Sequence, residues 1–359
     1  MRTTLPVFFG IFIVMALSNT IVPVLPFYDK SSIIQGAVYS AYFMGAFVCT
    51  LPAGILSDRY GRVPVIRIGL WVTVLAAFLL VVLTGPLLII IARFIEGAGA
   101  GFVVAGSMSY VNSLPDHEKM SGYFMGLLNA GLVAGLVFAG WLASFTLNPA
   151  AGIIVFAILS LLPAVISFFI AETGVPEIPK DHNALIPLIS EYRWLWYSSI
   201  VLIGITGVVT SLYPKFSGYS PESVGIWIAI MSCSTIIAVL VSSRLFLPPV
   251  ITIRWCAFLM IIAVMISFYS PLGFALLGTL AGIVMICQMT FLSQVRHHQG
   301  TAMGLFSTTG YLGMTALPVM AGFIADSAGF FLAFCATALV AITVFLTIRS
   351  CECNLQTAN

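Results

Sequence analysis

The sequence predicts an all-α integral membrane protein of twelve transmembrane helices arranged as two pseudo-symmetric six-helix halves. Three observations lead there: an apolar composition, twelve separable apolar runs, and a one-sided distribution of Lys and Arg. Of the 359 residues, 60% are hydrophobic and 7% are charged, where a soluble domain carries roughly 25% charged residues. The 14 Lys and Arg and the 12 Asp and Glu are too few to cover a water-facing surface of this size. A soluble enzyme, a nucleic-acid-binding protein and a secreted disulfide scaffold are excluded on that ground. A span needs ~20 apolar residues to cross ~30 Å of hydrocarbon, so twelve spans fit this chain only with short connections. The runs are continuously apolar rather than alternating, which favours helices over a transmembrane β-barrel.

The first run, 5–28, imitates a signal peptide with Arg2 and Ala16-Leu17-Ser18, but it continues to Tyr28 and more spans follow, so it is read as an uncleaved helix. The second, 33–56, begins after Asp29-Lys30 and stops at the charged segment around Asp58. The third and fourth, 65–84 and 87–112, are parted by Gly85-Pro86. The fifth, 120–146, follows the polar stretch to Lys119, and Asn148-Pro149 divides it from the sixth, 150–171. A polar segment, Glu172 to Arg193, then interrupts the pattern. Six further runs lie at 195–214, 222–243, 250–269, 271–293, 300–325 and 328–348, again broken at Pro, Gly or charged residues. The domains expected are therefore an N-terminal bundle at 1–171, a cytoplasmic linker at 172–194, a C-terminal bundle at 195–348 and a cytoplasmic tail at 349–359.

Lys and Arg accumulate in cytoplasmic loops. With a cytoplasmic N-terminus, that side holds Arg2, Arg59, Arg62, Arg67, Lys119, Lys180, Arg193, Arg244, Arg254, Arg296 and Arg349. The opposite side holds Lys30 and Lys215, and Arg93 lies within a span. Both termini are thus expected in the cytoplasm, which requires an even number of spans. The halves also resemble one another. Gly131-x3-Gly135-Leu136-x2-Ala139-Gly140 in the fifth run matches Gly313-x3-Leu317-Pro318-x2-Ala321-Gly322 in the eleventh at a constant offset of 182. Small residues at this spacing let helix backbones approach closely, and repeated six-helix halves point to a central site served by alternating access.

Between the second and third runs stands Gly54-Ile-Leu-Ser-Asp58-Arg59-Tyr-Gly61-Arg62-Val63-Pro64. Gly54 is read as allowing tight packing at a helix end and Gly61 a sharp turn, while Asp58 suits helix N-terminal amides. A basic loop obeying the positive-inside rule accounts for the arginines but not for the order G-x-L-S-D-R-x-G-R. That order resembles the loop signature of the major facilitator superfamily, with Val63 where a second basic residue is common. The resemblance implies the major facilitator fold. It also implies that Gly54, Asp58, Arg59, Gly61 and Arg62 form a conformational latch on the cytoplasmic side, with Gly300-Thr301 as the partner of Asp58. The C-terminal copy of the loop, Ser242-Ser243-Arg244, keeps no acid.

The fourth run carries Arg93-Phe-Ile-Glu96-Gly97-Ala-Gly99-Ala-Gly101. An Arg within a span costs roughly 2.5–3.5 kcal/mol on insertion scales and seeks an acid or a cavity. Arg93 and Glu96 share one helix face at i,i+3. The stretch is similar to the family's fourth-helix R-x-x-Q-G-x-G, linked to proton coupling, with Glu96 where Gln is common. Glu96 has three readings: a structural partner that neutralises Arg93, a protonatable group, or a direct contact to substrate. The fifth run resembles the family's antiporter motif, with Leu136 for its Pro and Ala139 for one Gly. The first run's Pro23-Val-Leu-Pro26 resembles the P-x-x-P ending of drug/proton antiporters.

Asn19, Asn129 and Gln288 either line a cavity or bond neighbouring helices; Tyr39 and Tyr311 are candidate cavity walls with them. Gly131, Gly135, Gly140, Gly313, Pro318 and Gly322 are expected to serve helix packing. His117, His182, His297 and His298 fall in predicted cytoplasmic loops, away from a proton path. Cys351 and Cys353 form a CxC without neighbouring ligands, and no P-loop, H-E-x-x-H or dinucleotide turn occurs, so no cofactor, metal or catalytic set is expected. The reading is a monomeric, multi-pass transporter of the plasma membrane, not an enzyme. It would exchange small amphipathic or lipophilic compounds for protons, with the lipid bilayer and no nucleic acid as its surroundings. An importer or uniporter of a neutral metabolite such as a sugar is the alternative, and a sensor that has kept the fold without transport a third.

Overall fold

A computed structural model of the chain describes residues 4–114, 117–171, 185–245, 247–293 and 299–351. The described secondary structure is helical throughout, and twelve of the helical segments are long and apolar enough to cross a membrane. The first is not one helix. α1 (Leu5–Thr20) gives way to a 3-10 turn at Val22–Val24 and then to α2 (Leu25–Tyr28). Pro23 and Pro26 cause the break: neither offers an N–H, and each ring collides with the carbonyl four residues back.

The remaining N-terminal helices are α3 (Ser32–Tyr60), α4 (Arg62–Val82), α5 (Pro86–Asn112), α6 (His117–Thr146) and α7 (Ala151–Ile166). Within the expected linker, α8 (Leu185–Glu191) forms a short helix where the polar composition alone suggests loop. The indole of Trp196 donates to the Leu188 carbonyl at 3.0 Å, fixing it to the chain that follows. Then come α9 (Arg193–Ser217), α10 (Pro221–Ser242), α11 (Pro249–Tyr269), α12 (Leu272–Ser293), α13 (Gln299–Ala328) and α14 (Phe330–Thr347). At 1.5 Å per residue, the 30 residues of α6 and of α13 reach well past the hydrocarbon on at least one side.

The chain divides into two compact units. The first comprises residues 1–30, 37–179 and 217–229. Its core joins Ile11 of α1, Ile66 and Leu70 of α4, Val103 and Tyr110 of α5, and Phe124 of α6, all buried. The second comprises residues 31–36, 180–216 and 230–359. There Phe216 of α9 stacks on Phe268 of α11 with centroids 4.5 Å apart, and both meet Phe334 of α14. Large apolar side chains stand exposed along both units: Val82, Phe138, Ile237 and Leu339 are each more than half accessible. Soluble proteins bury such surface; here the bilayer is its solvent.

Candidate functional site

The best-defined polar centre lies in the first unit, on α5. Gly85, at φ 99°, turns the chain from α4 into Pro86, which is preorganised for a first helical turn. Gly45 of α3 and Gly97 of α5 then bring the two backbones together. A Cβ on Gly97 would collide with the carbonyl oxygen of Tyr42, and one on Gly45 with that of Phe94. That close approach sets the Tyr42 ring 4.8 Å from the Arg93 guanidinium carbon. Gly99 faces α4 at Gly69 and Thr73, so this glycine run packs on two neighbours at once.

Arg93 and Glu96 are sealed there, 1% and 0% exposed. Arg93 Nη1 donates to Glu96 Oε2 at 2.6 Å. Its Nη2 donates to the Ser18 carbonyl of α1 at 3.1 Å, and its Nε to the Val38 carbonyl of α3 at 3.4 Å. Glu96 Oε1 is buried and has no hydrogen-bond partner. The guanidinium therefore has acceptors on three helices, while half of the carboxylate is unused. Such a centre can take a proton at Oε1 without releasing Arg93 from its carbonyls.

In the loop after α3, Gly61 adopts φ 99°, the turn its sequence position implied, and it precedes the first residue of α4. Arg62 Nε donates to Ser109 Oγ of α5 at 3.2 Å, and Arg59 lies over the Tyr60 ring at 5.3 Å. Val63 is buried in the core of the first unit, which explains why the common basic residue is absent. Around Gly54 a Cβ would meet nothing within 4 Å, so the tight packing expected of it is not realised here. The side chains of Asp58 and Thr301 lie outside the described residues, as do His182, His297, His298, Cys353 and the side chain of His117.

The five residues considered for a cavity all make or border helix contacts. Asn19 Nδ2 reaches the Leu132 carbonyl of α6 at 3.3 Å, and Asn129 Nδ2 bonds the Met125 carbonyl of its own helix at 2.8 Å. Tyr39 is buried with its ring 5.0 Å from that of Phe43. In the second unit Gln288 is fully buried and donates to Ser198 Oγ of α9 at 2.9 Å, with Oε1 unpartnered. Tyr311 is partly buried on α13, and its carbonyl accepts from Thr315 Oγ1 at 2.7 Å.

The repeated small-residue pattern has a geometric counterpart. A Cβ on Gly131 or Gly135 would strike the carbonyls of Phe12 and Ala16 in α1, and one on Gly313 that of Ile200 in α9. Farther along, within the first unit, Gly140 of α6 abuts the Pro221 carbonyl of α10, while Gly225 abuts the Leu136 carbonyl. Within the second unit, a Cβ on Gly322 of α13 would lie 2.6 Å from the Ser32 carbonyl oxygen, and one on Gly36 2.7 Å from that of Pro318. Each pair occupies corresponding positions in the two repeats.

One residue that sequence reasoning misses completes this pattern. Asp326 of α13 accepts from Ser31 Oγ at 2.6 Å, Ser32 N at 2.9 Å, Ile33 N at 3.0 Å and Lys215 Nζ at 3.1 Å. Lys215 Nζ also donates to Ser32 Oγ at 2.7 Å. A carboxylate on the first amides of α3 meets the positive end of that helix. At the matching position of the first repeat, Ser144 Oγ accepts from Glu222 N at 3.3 Å, a neutral version of the same cap. The available signal is the isolation of Lys215 among apolar residues, which calls for a counter-charge.

Comparison with known proteins agrees with this architecture. The family profile described as the Major Facilitator Superfamily matches residues 7–318. Quinolone resistance protein NorA of Staphylococcus aureus (strain MRSA252) is 24% identical over 242 residues, covering 61% of this chain and 60% of that protein. Multidrug resistance protein 2 of Bacillus subtilis (strain 168) is 23% identical over 261 residues, covering 66% and 64%. The matched region is thus less than two thirds of each relative. Among solved structures, the nucleoside transporter NupG superimposes with a TM-score of 0.74 at 14% identity, covering 98% of this chain and 99% of that one. A D-xylose-proton symporter gives 0.72 at 14% identity, covering 96% and 97%. With a profile matching most of its length and twelve membrane-compatible helices among the described residues, this chain belongs to the Major Facilitator Superfamily and is a multi-pass membrane protein.

Proposed function

We propose that the chain exports small amphipathic or lipophilic organic compounds in exchange for protons, by alternating access. The observation that carries the coupling is Glu96: a carboxylate fully buried in α5, one oxygen bonded to Arg93 and the other without a partner. Protonation at Oε1 removes the negative charge, while Oε2 still accepts from Arg93 and the guanidinium keeps the Ser18 and Val38 carbonyls. The charge of the site changes by one without its scaffold being dismantled, which is what a coupling residue must allow. Efflux as the direction is supported by the similarity to NorA and Multidrug resistance protein 2. Among the described residues Arg93 and Glu96 are the buried charged side chains, which suits substrates that are neutral or singly charged. Asp58, Arg59 and Arg62 act in this reading as a latch of the cytoplasmic side, in a plasma-membrane protein with both termini in the cytoplasm.

The test uses proteoliposomes with an imposed pH gradient and a recording of internal pH while lipophilic cations, neutral drugs and sugars are added. Drug-evoked proton flux in the native protein, absent in Glu96→Gln, is the expected result. Proton-driven drug transport retained in Glu96→Gln would remove Glu96 from the mechanism. A second reading, uptake or facilitated movement of a neutral metabolite, is favoured by Leu136, which stands buried where the antiporter motif has Pro. Sugar movement without proton flux would establish it.

A further inference from the structure

We propose that the second unit carries a binding site for the phosphate of an anionic phospholipid headgroup, in a cleft between the start of α11 and the end of α14. The cleft has a volume of about 300 Å3 and is lined by Val250, Ile251, Arg254, Trp255 and Arg349. Arg254 lies in the second turn of α11, and Arg349 in the 3-10 turn Ile348–Cys351 that follows α14. The Phe345 ring, 4.6 Å from the Arg254 guanidinium carbon, holds that side chain toward α14. Two arginines therefore line one small concavity.

Among the described residues the ion pairs are Arg93–Glu96 and Lys215–Asp326, so no described carboxylate compensates Arg254 or Arg349. Arg254 Nε is moreover buried without a hydrogen-bond partner. Like charges left together, one with an unmet buried donor, are an arrangement that a bound anion relieves. Guanidinium forks match phosphate oxygens in pairs.

The walls say which phosphate. Trp255 and Ile251 are 56% and 50% exposed on the apolar exterior of the unit, and Trp is favoured at the membrane interface. Arg254 lies five residues beyond Pro249, about 8 Å along the helix, the depth at which a guanidinium reaches headgroup phosphates from below. A volume near 300 Å3 is at the lower limit of ligand pockets, room for a phosphodiester and its glyceryl carbons. The same end of the unit carries Arg244, so the lipid belongs to the leaflet on the basic side of the protein. The site is independent of the transported substrate and of Glu96.

The experiment is native mass spectrometry of the purified protein, paired with thermal unfolding in neutral detergent. Phosphatidylglycerol, phosphatidylcholine and inorganic phosphate are added in separate arms. The expected result is retained phosphatidylglycerol and a raised Tm in the native protein, with roughly tenfold less lipid retained in Arg254→Gln/Arg349→Gln. Arg349→Gln alone, at an exposed position, shows a partial loss and serves if the double variant folds poorly. Arg244→Gln, outside the cleft, leaves retention unchanged. An equal loss in Arg244→Gln would reduce the effect to general surface charge and overturn the site. Equal stabilisation by inorganic phosphate would overturn the lipid as its ligand, and so would equal retention of phosphatidylcholine.

Discussion

Arg93 is supported by more than Glu96, and this asymmetry decides how the two respond to substitution. Carbonyls of Ser18 and Val38 and the ring of Tyr42 remain when the carboxylate is neutralised. Glu96→Gln preserves an acceptor for Arg93 Nη1, so its Tm should stay near that of the native protein while coupling is lost. Arg93→Leu leaves the carboxylate buried without its cation and should cost about 3–5 kcal/mol. Thermal unfolding of the two purified variants separates these outcomes; equal losses would mean that the pair is purely structural. The glycines give a second contrast at the same scale. Gly97→Ala places a methyl against the Tyr42 backbone, and separating α3 from α5 should cost about 1–3 kcal/mol. At Gly122 of α6 a Cβ meets nothing within 4 Å, so Gly122→Ala should instead stabilise by about 0.4–1 kcal/mol. Glu96 is legible in the sequence because a carboxylate three residues from an Arg in an apolar run has few other partners. Its unpartnered oxygen is not, since that depends on how closely α3 closes over α5.

Between elements, the two repeats use the same backbone crossings with different caps. Gly322 and Gly36 bring α13 onto the first turn of α3, as Gly140 and Gly225 bring α6 onto the first turn of α10. The former crossing ends in a carboxylate with four donors, the latter in a single serine hydroxyl. Asp326→Asn keeps one acceptor oxygen and loses the charge. It should therefore weaken its crossing by about 1–3 kcal/mol, with faster amide exchange in residues 31–36. Ser144→Ala should change stability by no more than ~0.5 kcal/mol. Hydrogen-exchange mass spectrometry of the two variants checks both; protected amides in Asp326→Asn would show that the glycine contacts alone hold the crossing. The small-residue repeat announces close packing from the sequence, because little else places glycines four and five residues apart in apolar helices. Asp326 is hidden there, because an acid near the end of an apolar run reads as its boundary. The partners at Ser32 and Ile33 lie nearly 300 residues away in the chain, beyond any local pattern.

At the scale of the whole molecule, the bilayer makes the twelve spans readable. Length and apolarity suffice to define a helix in hydrocarbon, where every backbone group must be satisfied within its own segment. The same solvent hides finer structure: α8 and the break between α1 and α2 leave no mark in an average over apolarity. Orientation rests on charge alone, and the charge is decisive enough to test. Lys30 and Arg244 are both exposed and are expected on opposite sides of the membrane. With the seven native cysteines replaced, Lys30→Cys should react with a membrane-impermeant maleimide in intact cells. Arg244→Cys should react only after permeabilisation. The reverse pattern would place the basic loops outside, contrary to the positive-inside bias. It would then move the phosphate cleft of Arg254 and Arg349 to the outer leaflet.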